Sequence, residues 1–156
     1  MDEKKLLKHA VDYLSKYDSS KVNLVNVLKR KILRLKTTNY EKGKLINIIE
    51  SIIIKLEKNK FIDDNRYSST KILSLSNSGK STNFIFNYLI KKGVNKSQIQ
   101  NNLNSMDQNN DNWELESAKI FVKKKKLLEK NQSYEKNLAK MARAGFSYDI
   151  CKKILG

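Results

Sequence analysis

The residues Gly79-Lys80-Ser81-Thr82 come nearest to a known chemical motif in this sequence. They match the end of a P-loop, in which backbone amides and a lysine bind the phosphates of a nucleotide. A P-loop also needs a glycine where this chain has Ser74, and a strand before the loop. The flanking residues are patterned as helices instead. We therefore interpret the four residues as a turn and helix cap, whose amides are available to an anion.

The other reactive side chains do not form a catalytic or metal-binding set. His9 is the only histidine, which excludes a histidine-based catalytic base or metal cluster. Asp63 and Asp64 are adjacent and point apart on a helix, so helix capping is the better interpretation. Cys151, the only cysteine, falls at a core position, and Trp113 is interpreted as a packing anchor rather than a base-stacking platform. We expect a protein that is not an enzyme and binds no cofactor or metal.

The charge of the chain is strongly positive, at +16, with 32 basic and 16 acidic residues. A surplus of this size indicates a polyanionic partner. The abundant lysine, asparagine and isoleucine also fit an AT-rich coding bias, which would raise the lysine content without selection for DNA. Arginines are therefore more informative than lysines, since they also offer fork-shaped donors.

Polar side chains recur with helical spacing near the glycine-lysine motif. One face of a predicted helix carries Lys80, Asn83, Asn87 and Lys91. Such a face suits phosphates or an acidic protein groove, and it suits solvent equally well. The run 123–126 consists of lysines, but four successive helical residues cover about 300° of the helix and cannot form one face. Lys124 falls within an apolar stripe, so it must extend to solvent or meet a partner.

The elements that position these residues are predicted to be amphipathic helices in three groups of three. The chain has no proline and only five glycines, which favours an all-α protein. The predicted helices span about 3–17, 22–33, 40–57, 64–76, 81–92, 96–104, 111–130, 134–144 and 148–155. The polar segment 105–110 is the predicted linker. The N-terminal residues lack the apolar region of a secretory signal, and no apolar run approaches the roughly 20 residues of a membrane span, so we expect a cytoplasmic protein.

An internal repeat relates these groups. With an offset of 52 residues, Gly93 aligns with Gly145 and several core-type positions agree. The aligned pairs include Phe86 with Leu138, Leu89 with Met141, Ile90 with Ala142, Val94 with Phe146, Ile99 with Cys151, and Leu103 with Leu155. An offset of 61 extends the match to the first group. Arg30, Lys91 and Arg143 then occupy one position, which predicts one cationic side chain per repeat. The predicted repeats are 1–58, 59–104 and 111–156.

Five segments of the chain resemble the RecX family of recombinase regulators. They are FIDDNRY (61–67), SGKSTNFIFNYLIKKGV (78–94), ARAGFSYDICKKIL (142–155), YLSKYDSS (13–20) and LKRKI (28–32). The resemblance covers most of the chain and is strongest over 61–103. None of these motifs is catalytic, so their order and spacing carry the resemblance.

The chain departs from the family pattern at several positions. The family usually has glycine at Asn59 or Lys60, a second glycine at Ser81, and alanine at Ser68. Arg143-Ala144 stands where relatives usually have paired arginines, which puts a bidentate contact at Ala144 in doubt.

The resemblance implies a fold of three tandem three-helix repeats in an elongated, curved array. It also implies binding to the RecA–DNA filament, with inhibition of RecA recombinase, ATPase and coprotease activities, and hence a role in DNA repair and the SOS response. We expect a monomer that contacts RecA and the phosphates of single- and double-stranded DNA. The candidate contact residues are Arg30, Lys80, Asn87, Lys91, Lys124 and Arg143.

The alternative is a stand-alone helix-turn-helix protein that acts as a transcription factor. Such a protein reads bases from one recognition helix and usually binds as a dimer. No helix of this chain concentrates arginine, asparagine and glutamine convincingly at its N-terminal end.

Overall fold

Helices account for all the regular secondary structure in the residues that the computed structural model describes, 1–129 and 132–156. Nine helices lie in these residues, so the predicted all-α class is confirmed. They are α1 (Glu3–Lys16), α2 (Lys21–Leu33), α3 (Asn39–Lys58), α4 (Asp64–Asn77), α5 (Thr82–Lys91), α6 (Lys96–Asn109), α7 (Trp113–Lys125), α8 (Tyr134–Arg143) and α9 (Tyr148–Leu155). No helix in this described part is both long and apolar enough to span a bilayer.

Short polar side chains fix where many of these helices begin. Thr38 and Glu41 have the spacing of a capping box, and Thr38 accepts a hydrogen bond from the amide of Glu41 at 3.2 Å. Asp63 accepts from the amides of Asn65 and Arg66, which confirms that this carboxylate caps a helix. Each such cap satisfies an amide that has no partner within its helix and contributes about 1 kcal/mol.

The chain forms two compact units, of which the first contains 1–67 and 92–94. Its core is built mainly by α1, α2 and α3, whose apolar faces repeat at helical spacing. The fully buried side chains of this core are Leu6, Ala10, Leu24, Leu28, Ile32 and Ile52. The apolar surface that they remove from water stabilises the unit, at about 25 cal/mol per Å².

One contact in the first unit joins the start of α2 to residues that are distant in sequence. Ser20 caps α2 by accepting from the amide of Asn23, and its hydroxyl donates to the main-chain oxygen of Lys92. The next amide, that of Lys21, donates to the Asp64 carboxylate at 2.8 Å. Gly93 packs so closely here that a Cβ atom would lie 2.4 Å from Val22. We call this arrangement the first joint.

The second unit contains 68–91 and 95–156. Its C-terminal core is formed by Ala118, Val122, Leu127, Met141, Phe146 and Cys151. Ile85, Leu89, Ile99 and Leu103 are buried on α5 and α6. Trp113 is 3% exposed and donates from Nε1 to Asp107 at 2.6 Å, which confirms the predicted packing role. Cys151 is fully buried, as predicted, and burial raises its pKa.

Several predicted boundaries and positions are wrong. The predicted linker 105–110 is helical to Asn109, because Met106 continues the apolar stripe of α6 and Asp107 accepts from Trp113. Helix α7 ends at Lys125, where the next residue, Lys126, takes a left-handed conformation with φ 54°. The predicted end at 130 lies outside the described residues. In the repeat alignment, Ile90 and Ala142 are exposed rather than part of a core.

Candidate nucleic-acid interface

The turn before α5 places the candidate residues of the second unit. Gly79 has a φ of +89°, and a Cβ atom there would lie 2.9 Å from the amide nitrogen of Phe121, so the position requires glycine. Ser81 then caps α5 by accepting from the amide of Phe84 at 3.1 Å. The tetrapeptide that resembles a P-loop is thus a turn and a helix cap, as predicted. Its amides are not available to an anion as expected, because those of Gly79 and Lys80 donate to main-chain oxygens and that of Thr82 donates to the Glu114 carboxylate.

A second joint fixes α5 against the end of α8. The hydroxyl of Ser81 donates to the main-chain oxygen of Ala144 at 2.8 Å, and the amide of Thr82 donates to the Glu114 carboxylate at 2.9 Å. Gly145 has a φ of +95°, and a Cβ atom there would lie 2.5 Å from the Ser81 hydroxyl. The partners have the same chemistry as in the first joint: a capping serine, a carboxylate and a glycine.

Asp111 and Glu114 have the spacing of a capping box, which predicts that Asp111 caps α7, and this prediction is wrong. The cap residue of α7 is Asn112, which makes no side-chain capping bond, and the carboxylate of Glu114 reaches α5 instead. Its burial raises the pKa above the ordinary value of 4.5, while the hydrogen bond from Thr82 opposes that change.

A groove of about 300 Å³ lies between α5 and the turn that follows α8. Its lining residues are Asn83, Phe84, Asn87, Tyr88, Lys91, Arg143, Ala144 and Gly145. The groove therefore brings together three of the six predicted contact residues, Asn87, Lys91 and Arg143. One wall is fixed by Asn83, whose Nδ2 atom donates to the main-chain oxygen of Gly145 at 3.1 Å.

The groove is cationic and has no acidic residue in its lining. In residues 1–129 and 132–156, neither Lys91 nor Arg143 forms an ion pair. Arg143 also lines a neighbouring depression of about 410 Å³, together with Lys125 and Lys140. Because no carboxylate in these linings neutralises the cations, the surface can attract an anionic ligand.

The remaining predicted contact residues lie elsewhere. Lys80 places its Nζ atom 4.6 Å from the centre of the Phe84 ring, at the edge of the groove. Lys124 donates to the main-chain oxygen of Ser78 at 3.0 Å, so its ammonium group stabilises the residues after α4. Arg30 is exposed on the last turn of α2, in the first unit. The predicted row of Arg30, Lys91 and Arg143 stays a prediction.

The residues of these two linings that were not found from the sequence include Phe84, Tyr88, Lys125 and Lys140. An aromatic residue on a helix usually belongs to a core, yet Phe84 is 39% exposed. The sequence did contain a signal for Phe84, which is its helical spacing. Phe84 lies four residues after Lys80 and seven before Lys91, which places it on the same face of the helix. Lys140 precedes Arg143 by one helical turn, which places the two on one side of α8.

The described residues contain no cluster of three or more His, Cys, Asp or Glu side chains that could hold a metal ion. His9 lies in the first unit, where burial and the nearby charge of Lys31 lower its pKa. The groove in the second unit suits an anionic ligand, which Lys91, Arg143 and the side-chain amide of Asn87 can contact.

Comparison with known proteins gives the family. No protein-family model matches the chain. The regulatory protein RecX of Myxococcus xanthus (strain DK1622) is 32% identical over 154 residues, which cover 94% of this chain and 81% of that protein. The regulatory protein RecX of Clostridioides difficile (strain 630) is 30% identical over 116 residues, 70% of this chain but only 52% of that relative.

Solved structures give the same fold. The crystal structure of RecX from Lactobacillus salivarius matches with a TM-score of 0.71 and 23% identity, over 97% of this chain and 93% of that one. A crystal structure of a regulatory protein RecX matches with a TM-score of 0.69 and 23% identity, over 95% of this chain and 68% of that one. Taken with the sequence identity to the relative from Myxococcus xanthus, this shows that the chain belongs to the RecX family of regulatory proteins.

Proposed function

We propose that this protein is a non-enzymatic regulator that binds the RecA–DNA filament and inhibits the recombinase, ATPase and coprotease activities of RecA. Through this inhibition it modulates DNA repair and the SOS response. The family resemblance implies this partner. The observation that carries the proposal to particular residues is the groove in which Lys91 and Arg143 meet without an acidic neighbour in its lining.

The cations of the groove would contact DNA phosphates, with acidic surface of RecA as a further partner. Lys91 and Arg143 end their helices, α5 and α8, and are exposed. Arg143 offers a planar fork of donors that suits phosphate oxygens, and Asn87 adds an amide beside them. Arg30 would supply an equivalent contact from the first unit.

We also propose that the chain consists of three repeats, 1–58, 59–104 and 111–156, acting as a monomer. The two joints support the proposal, since Ser20 and Ser81 are 61 positions apart, as the sequence offset requires. Gly93 and Gly145, which pack against these joints, keep the offset of 52. Equivalent contacts at matching offsets are the expected result of a repeated unit.

The test is the rate of ATP hydrolysis by RecA on single-stranded DNA, measured with increasing amounts of this protein. We expect inhibition at or below one molecule per RecA, and weaker inhibition by the double variant Lys91→Ala/Arg143→Ala. The matched control is Arg34→Ala/Lys58→Ala, which removes the same charge from exposed positions of the first unit. Unchanged hydrolysis with the wild-type protein would contradict the proposal.

A further inference from the structure

We infer that the groove beside α5 binds single-stranded DNA by stacking a base on the ring of Phe84. The inference rests on the proposed function, which makes DNA the ligand, and it names the form of DNA and the residue that distinguishes it. Phosphate contacts alone do not distinguish a single strand from a duplex. An aromatic ring beside the cations does.

The ring of Phe84 is open to solvent at the groove. Phe84 lines the groove and is 39% exposed, although it lies on a helix whose buried positions include Ile85 and Leu89. Its ring lies 6.4 Å from that of Tyr88, centre to centre, with 21° between the ring planes. Two nearly parallel rings therefore lie on one helical face, and both line the groove.

Positive charges lie close to both rings. Lys80 approaches the Phe84 ring to 4.6 Å, and the Nζ atom of Lys71 lies 6.0 Å from the centre of the Tyr88 ring. Lys91 and Arg143 line the same groove. Cations that follow a phosphate backbone, interleaved with rings on which bases stack, are the combination by which proteins bind single strands without sequence preference.

The exposed ring favours a single strand over a duplex as the ligand. In a duplex the bases are already stacked and paired, so their faces are closed to Phe84 unless a base is extruded. A duplex would therefore use the cations and not the rings. An acidic peptide would use the cations as well, but it carries no flat ring in its charged side chains. The exposed ring favours single-stranded DNA over both.

The experiment measures binding of wild-type protein and variants to a fluorescent oligo-dT strand by anisotropy. We expect Phe84→Leu to weaken binding roughly tenfold, because base–aromatic stacking at one position is worth that much or more. Phe84→Tyr keeps the ring and should bind as the wild type does. The matched control is Phe61→Leu, at another phenylalanine that is 53% exposed but lies in the first unit.

Two further ligands separate stacking from charge. A strand of the same length with abasic sites keeps its phosphates, so it should bind the wild type and Phe84→Leu equally, and more weakly than oligo-dT binds the wild type. A duplex of that length should show no difference between the two proteins. Circular dichroism of each variant checks that the fold is retained.

The inference is overturned if Phe84→Leu binds oligo-dT as tightly as the wild type, or if the wild type binds the abasic strand as tightly as oligo-dT. It is also overturned if the Phe84→Leu change weakens binding of poly-glutamate and not of oligo-dT, since the groove would then be a protein site. None of these results changes the RecA hydrolysis assay, so the proposed function stands or falls separately.

Discussion

The Glu114 carboxylate accepts a hydrogen bond from the main-chain amide of Thr82, 32 residues earlier, at 2.9 Å. In the other unit, Asp64 accepts in the same way from the amide of Lys21. Each amide belongs to the first residue of a helix and has no partner within that helix. An acidic side chain from later in the chain therefore supplies the missing acceptor at each helix start.

The second joint gives a pH dependence that Glu114→Gln tests. Burial raises the pKa of Glu114 in the folded protein, so folding favours its protonated form. This contribution is fully present below the ordinary pKa of 4.5 and is lost as the pH rises through the folded value. Glutamine keeps an accepting oxygen but does not ionise.

We therefore expect the free energy of unfolding of Glu114→Gln, relative to the wild type, to increase between about pH 4 and about pH 7. Urea unfolding at several pH values measures it. The exposed Glu135, on the first turn of α8, provides the control Glu135→Gln. A relative stability that stays constant or decreases over this range would contradict the prediction.

Replacement of the serine at either joint should destabilise the protein more than loss of an ordinary cap. Ser81→Ala removes both the cap of α5 and the bond to Ala144 from a fully buried position, and we expect a loss of about 2–3 kcal/mol. Ser20→Ala should behave similarly. Ser133→Ala, at an exposed cap, should cost about 1 kcal/mol. Urea unfolding compares the three, and equal losses would show that the joint bonds add nothing.

The glycine of the second joint should not tolerate a side chain. Gly145→Ala combines a positive φ with a Cβ atom 2.5 Å from a hydroxyl that is held by two hydrogen bonds. We expect a loss of about 1–3 kcal/mol in the free energy of unfolding. Gly43→Ala is the control, because Gly43 lies within α3 with no atom within 4 Å of an added Cβ. That change should stabilise the protein by about 0.5–1 kcal/mol.

The salt dependence of binding to single-stranded DNA should count the phosphate contacts of the groove. The logarithm of the binding constant falls linearly with the logarithm of the salt concentration, and for single strands each phosphate contact contributes about 0.7 to the steepness of that slope. Lys91→Ala/Arg143→Ala removes two contacts and should therefore reduce the steepness by about 1.4. Fluorescence anisotropy at four or more salt concentrations provides the measurement. The double variant Arg34→Ala/Lys58→Ala should keep the wild-type slope. Equal flattening by both variants would assign the effect to net charge rather than to the groove.

Local features made the helices predictable, because periodicity and caps act within a few residues. Thr38 and Asp63 cap as the sequence indicates, and the all-α class follows from the spacing of apolar residues. The segment 105–110 looked like a linker because it is polar, yet a single half-buried methionine and the bond between Trp113 and Asp107 keep it helical to Asn109. These two residues are only six positions apart, but their bond accompanies the burial of Trp113, which the polarity of the segment does not reveal.

The groove was predictable only in part, because it is formed by residues that are distant in sequence. Helical spacing placed Asn87 and Lys91 on one face, and the internal repeat drew attention to Arg143. Arg143 joins these residues in one groove where α5 is bonded to the end of α8, through the hydrogen bond between Ser81 and Ala144. These two residues are 63 positions apart, so no local sequence pattern predicts the bond. Phe84 was missed because only the packed structure shows how much of its ring is exposed.

The position of Trp113 makes its intrinsic fluorescence a probe of unfolding. It is the only tryptophan, it is buried, and it belongs to the second unit. Its emission on unfolding therefore monitors that unit, whereas far-ultraviolet circular dichroism monitors the helices of both. If the two unfolding curves coincide, the two units unfold in one cooperative transition. If they diverge, the second unit unfolds separately from the first, and no introduced label is needed to detect it.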